Sequence, residues 1–147
     1  MSDDEQRREA ARILALTGGD AGRAFEMLER QLSVTVMRTQ VLLSLSGIVV
    51  TVTGFSGEAI ARVGLVAKVS ISLGILLVLA AAVTAILGVL RVRWLTQMLA
   101  DDAEETLLRA IRVRDEKSDA LARASWLFAA GFALYCVAIA QLLARAG

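Results

Sequence analysis

Histidine and proline are absent from this chain, cysteine occurs once, and three long stretches hold no charged residue at all. Each absence excludes something. Without histidine, the commonest general base and metal ligand is missing. Without proline, no residue deletes an amide donor inside a long helix. The single Cys136 has no intramolecular disulfide partner, so cysteine usage is silent on redox compartment. Its mid-span position reads as a small apolar packing residue. Net charge is only +1, which gives no basic excess for a nucleic-acid partner. Residues 2–9 are charged, so the chain is not expected to open with a signal peptide.

What is present is apolar. Of 147 residues, 56% are hydrophobic, and the mean hydropathy is +0.62. The uncharged stretches cover residues 39–55, 69–90 and 126–144. At about 1.5 Å per residue the second and third cross a hydrocarbon core of roughly 30 Å, and the first does so with help from Val34, Val36 and Met37. Sustained strand-like alternation is missing, which argues against a membrane β-barrel. The expected fold is therefore an all-α integral membrane protein with three transmembrane helices. Residues 1–38 are expected to form an N-terminal cytoplasmic helical hairpin. Residues 39–147 form the three-span membrane domain, with a cytoplasmic helical extension over 91–125.

Local signals punctuate these helices. A short amphipathic helix over about 3–16 presents Ala10, Ile13 and Leu14 on one face, and Gly18 is placed to end it in a left-handed cap. Asp20 is placed to cap the next helix, on which Phe25, Leu28 and Leu32 share a face and Glu26 precedes Arg30 by four. That helix is expected to run from about 21 to 55. Asp102 with Glu105 fits a capping box, predicting a break near 100–102 and a new helix from Ala103. Leu107, Leu108 and Ile111 form an apolar stripe on it. The stripe fades over 112–119, which reads as a solvated helix running into the third span, supported by an Asp119–Arg123 pair, with a kink near Ser118 as the alternative.

Charge sets the expected orientation. Lys and Arg number six in residues 1–38, two in 56–68, seven in 91–125 and one in 145–147. The positive-inside rule places the first and third regions in the cytoplasm and the C-terminus outside. Arg38, Arg91, Arg93, Trp94, Arg123 and Trp126 are the expected interface anchors, with Arg38 reaching headgroups rather than lining a pathway.

Chemistry-bearing clusters have bland alternatives that are preferred. Asp101, Asp102, Glu104 and Glu105 suit a helix start better than a cation site, because no glycine turn or alternating ligand loop accompanies them. Arg109, Arg112, Arg114 and Lys117 make a basic surface that could meet anionic lipid or a partner. Glu105, Asp115, Glu116 and Asp119 interleave with it, favouring a salt-bridged solvated face. Within the spans, Ser70 with Gly74, Ala80 with Thr84 and Gly88, and Ala129 with Ala133 have the spacing of close helix contacts. Ser44, Ser46, Thr51 and Thr53 are candidate pore-lining hydroxyls, although bonding back to their own helix carbonyls is preferred. No Asp, Glu, Lys or His lies inside a span, which argues against a proton-coupled pump. No catalytic, nucleotide or metal motif is found, so neither enzyme activity nor a cofactor is expected.

Residues 38–47, Arg-Thr-Gln-Val-Leu-Leu-Ser-Leu-Ser-Gly, resemble the opening of Pycsar-type transmembrane effectors and related small bacterial anti-phage membrane proteins. Residues 107–121, with Lys117 four before Leu121 and a span directly after, are similar to their closing segment. The resemblance covers about 31–143. It implies an inner-membrane protein that senses a cytoplasmic signal and disrupts the membrane after oligomerisation. No nucleotide-binding residue carries over, because the chain has no separate sensor domain. The expected function is a non-enzymatic oligomeric inner-membrane protein that assembles through its cytoplasmic helices and is a candidate pore-former. The alternative is an accessory subunit of a larger membrane enzyme or transporter. Expected partners are the bilayer and either further copies of the chain or other membrane subunits.

Overall fold

The computed structural model describes residues 3–55, 64–90 and 103–146, with side chains described from 104 to 141 in the last stretch. Over these residues the chain is helical and contains no strand. The elements are α1 (Asp3–Leu16), α2 (Ala21–Phe55), α3 (Leu65–Gly88) and α4 (Ala103–Ala146). By length and composition, α2, α3 and α4 can each cross a membrane.

α1 stops in a Schellman turn. The Gly19 amide donates to the Leu14 carbonyl at 2.8 Å and the Gly18 amide to Ala15 at 3.3 Å. Both glycines have positive φ, 66° and 83° for Gly18 and Gly19, a backbone state that a Cβ disfavours. Asp20 then caps α2: its Oδ1 accepts the amides of Gly22 at 2.9 Å and Arg23 at 3.2 Å. Glu26 and Arg30 do not pair, whereas Arg109 and Glu105 do.

α2 has 35 residues and α4 has 44. At about 1.5 Å per residue they measure roughly 52 and 66 Å, well beyond a bilayer core of about 30 Å. Their excess lies at their N-terminal ends. There α1 packs into the angle between them and completes a three-helix head. Ala10 and Ile13 of α1 meet Ala24 and Leu28 of α2 and Leu107, Ala110 and Ile111 of α4.

Below the head the helices form a bundle. α4 runs parallel to α2, as Gln31 meets Arg114 and Leu42 clusters with Ala124. α3 runs antiparallel to α4, with Gly74 opposite Gly131 and Gly88 opposite Ala120. The buried positions of α3 are Ala67, Ile71, Gly74, Val78, Ala81 and Ala85. Those of α2 include Leu28, Leu32, Thr39, Leu42, Ser46, Val49 and Thr53. On α4, Val113, Ala120, Ala124, Gly131 and Ala138 continue the pattern. Intervals of four and three, a seven-residue repeat, keep one seam facing its neighbours, as in left-handed coiled coils.

The start of α3 differs from the sequence expectation. α3 begins at Leu65, not Val69: Lys68 is exposed there, and its amide bonds to the Gly64 carbonyl at 3.2 Å. A lysine at a helix end extends its stem and needs no break. α4 runs through Ser118 into the third span as one helix, the continuous form that the sequence favoured over a kink. The expected break at 100–102 and its Asp102 cap lie outside the described residues.

Candidate functional site

A hydrogen-bonded polar constellation joins the three helices of the head. Arg114 of α4 is half-buried, and its guanidinium grips Glu9 of α1 with both terminal nitrogens, Nη2 at 2.9 Å from Oε2. Nη2 also reaches Oδ1 of Asp115 at 2.7 Å, and Nη1 donates to Oε1 of Gln31 in α2 at 3.2 Å. The second Asp115 oxygen accepts from Nε2 of Gln6 at 3.1 Å. Planar guanidinium geometry suits this fork against a carboxylate. Hydrogen bonding to Glu9 is the chief cause that raises the Arg114 pKa above its ordinary value; burial opposes it and Asp115 adds to it. At the outer edge Arg112 approaches Asp3 at 3.4 Å. One helical turn below Arg114, burial lowers the Lys117 pKa.

Lower down, where the head meets the bundle, a groove of about 390 Å³ opens between α2 and α4. α2 contributes Arg38, Val41, Leu42 and Leu45. α4 contributes Ser118, Leu121, Ala122, Ser125 and Phe128. Phe128 is backed by Phe132, stacked at 5.8 Å between centroids. Arg38, Ser118 and Ser125 are exposed, and Arg38 makes no ion pair among the described residues. Also among the described residues, no group of three or more His, Cys, Asp or Glu side chains gathers in the manner of a metal site.

The residues singled out in the sequence scatter over these features. Of the anchors, Arg38 stands at the groove and Trp126 is 78% exposed. Arg123 is exposed, and its Nε donates to the Asp119 carbonyl at 3.3 Å rather than to the Asp119 carboxylate. Arg91, Arg93, Trp94, Asp101 and Asp102 lie outside the described residues. Of the small residues, Gly74 sits where a Cβ would come within 2.8 Å of the Gly131 carbonyl oxygen, and Gly88 sits against Ala120. Ser70 is half-buried. Thr84 is also half-buried and turns its hydroxyl to the Ala80 carbonyl at 2.8 Å. Ala80, Ala129 and Ala133 face outward, and so does Cys136. The row Ala80, Thr84, Gly88 thus divides between two faces. Steps of four advance about 400° and drift about 40° each around the helix, whereas the alternation of three and four stays on the seam.

The hydroxyls of the first span also divide. Ser46 and Thr53 are buried and bond back to Leu42 at 2.9 Å and Val49 at 2.7 Å. Ser44 and Thr51 face outward and have no hydrogen-bond partner among the described residues.

Sequence reasoning fell short in two places. The clamp made by Arg114 was read as a solvated face, although Gln6 and Glu9 share the α1 face that carries Ala10 and Ile13. The close seam between α3 and α4 was read only in part, through Gly74 and Gly88; its full signal was the run Ala67, Gly74, Ala81, Ala85 opposite Ala120, Ala124, Gly131, Ala138. In comparisons with known protein families, curated proteins and solved structures, nothing matches this chain.

Proposed function

We propose that this chain is a non-enzymatic membrane protein that works as a homo-oligomer, with its head in the cytoplasm and its C-terminus outside. The orientation rests on the 13 Lys and Arg of residues 1–38 and 91–125, against three in the other polar segments. The observation that carries the assembly is the pair Ser44 and Thr51. These hydroxyls stand seven residues apart on one exposed face of the first span, unpartnered among the described residues. Lipid tails offer such groups no hydrogen bond, and a facing helix does. Around an axis, copies of this face would line a polar stripe of low selectivity, because hydroxyls alone discriminate charge poorly. A membrane-perturbing role triggered from the cytoplasm is the sharper form of the reading, supported by the sequence resemblance alone.

Mass measurement in mild detergent, paired with ion leakage from liposomes, tests it. A homo-oligomer with weak non-selective conductance is expected. Ser44→Leu combined with Thr51→Leu should shift the mass toward the protomer and abolish the leak at unchanged helix content. Purification as a single protomer would overturn the reading, and co-purifying chains of other sequence would favour the accessory-subunit alternative.

A further inference from the structure

The groove between α2 and α4 has a feature that protomer assembly does not explain: a polar end and an apolar end, in the order in which a bilayer presents phosphate and hydrocarbon. We propose that it binds one anionic glycerophospholipid from the leaflet that contains Arg38, with the phosphate on Arg38 and the start of an acyl chain along Leu42, Leu45 and Phe128. The inference requires the chain to lie in a membrane and is independent of its oligomeric state.

Direction comes first. α2 and α4 are parallel here, so the groove runs the same way along both, from Arg38 and Ser118 toward Leu45 and Phe128. From Arg38 to Leu45 is about 10 Å of helix, and from Ser118 to Phe128 about 15 Å. One leaflet's share of the hydrocarbon core is also about 15 Å. The first charge-free stretch begins at Thr39, directly after Arg38. The cationic end therefore lies at the level where headgroups begin, and the apolar end lies at acyl depth.

Charge comes second. Arg109, Arg112 and Arg114 each face a carboxylate. Arg38 does not, and no Asp or Glu lines the groove. An exposed guanidinium offers a fork to phosphate oxygens, and the hydroxyl of Ser118, at the same end of the groove, offers a further donor. The unbalanced positive charge favours a lipid with net negative charge over a zwitterionic one, whose own cation would compete for the phosphate.

The apolar walls select the source of the phosphate. A free phosphate ion would use Arg38 and leave Leu42, Leu45 and Phe128 uncovered. An acyl chain already at that depth in the leaflet covers them, held by van der Waals packing along the apolar wall.

Native mass spectrometry of the full chain, released from vesicles of equal phosphatidylglycerol and phosphatidylcholine, reads the occupancy directly. One phosphatidylglycerol per protomer is expected to survive delipidating detergent. Arg38→Gln should cut that retention at least five-fold, and Arg30→Gln, which removes an exposed arginine outside the groove, should leave it unchanged. Ala122→Phe, which fills the apolar wall with Arg38 intact, should also expel the lipid. Circular dichroism and detergent mass verify that each variant folds; if Ala122→Phe does not, the pair at Arg38 and Arg30 decides. Equal retention of both lipids, full retention in Arg38→Gln, or displacement by millimolar inorganic phosphate would each overturn the proposal.

Discussion

Arg114 concentrates the head's electrostatics in one side chain. It bridges Glu9 of α1, Gln31 of α2 and its own neighbour Asp115, and Gln6 closes the arrangement from α1. Its side chain is only 16% exposed, against 60% for Arg112 in the Arg112–Asp3 pair. Solvent screening takes most of the value from the exposed pair and less from the inner one. Arg114→Ala would leave Glu9 and Asp115 facing each other without a cation, and about 2 kcal/mol of α1 docking should be lost. Arg114→Lys keeps the charge but loses the fork, so it should recover only part of that. Amide hydrogen exchange of residues 3–16 is the measurement: roughly thirty-fold faster exchange for Arg114→Ala, with α3 unaffected. Unchanged α1 protection would mean that Ala10 and Ile13 hold the helix unaided.

At the scale of elements, the helices themselves were legible. Charge-free length marked three spans, Gly18 and Asp20 marked the joint between α1 and α2, and the lack of proline marked their continuity. The helix faces were less legible. Spans are apolar all round, so hydrophobicity does not separate the side that meets lipid from the side that meets a helix. Residue size does separate them, but only along the seven-residue seam. Gly74 and Gly131 show why. A Cβ on Gly74 would lie 2.8 Å from the Gly131 carbonyl oxygen, and one on Gly131 would lie 2.7 Å from that of Gly74. Backbone meets backbone there, and neither side can yield without separating the helices. Gly74→Ala and Gly131→Ala should each destabilise the bundle by about 1–3 kcal/mol, seen as a lower unfolding midpoint in detergent. Gly47 has nothing within 4 Å of its added Cβ. Gly47→Ala should therefore be neutral or stabilise by up to about 1 kcal/mol through helix propensity. Equal effects at positions 47 and 74 would remove the close contact from the account of stability. The Arg114 clamp was illegible for a different reason: its partners lie 105 and 83 positions away in the chain. On one helix, alternating charge looks the same whether it faces water or another helix.

On the scale of the whole molecule, the division between head and bundle makes orientation a single two-state question. In the proposed arrangement the head and the segment after the first span lie on opposite sides of the membrane, so one labelled position in each decides it. Ser33 and Gly64 serve, because both are exposed. Neither substitution meets a backbone obstacle, since Gly64 has φ −62° and Ser33 lies on the outer face of α2. Cys136, which faces outward mid-span, first becomes alanine so that the introduced thiol is the only one present. In sealed cells a membrane-impermeant thiol reagent should label Gly64→Cys and spare Ser33→Cys, and permeabilisation should make both reactive. The expectation rests on 13 basic residues against three. Such an imbalance places the basic side in the cytoplasm because moving each cation outward opposes the membrane potential, at about 2.3 kcal/mol per charge per 100 mV. Reversed labelling would put the head, the Arg114 clamp and the Arg38 groove on the outer side. It would end the cytoplasmic trigger in the proposed function while leaving the groove's order of phosphate and acyl chain intact, now facing the opposite leaflet.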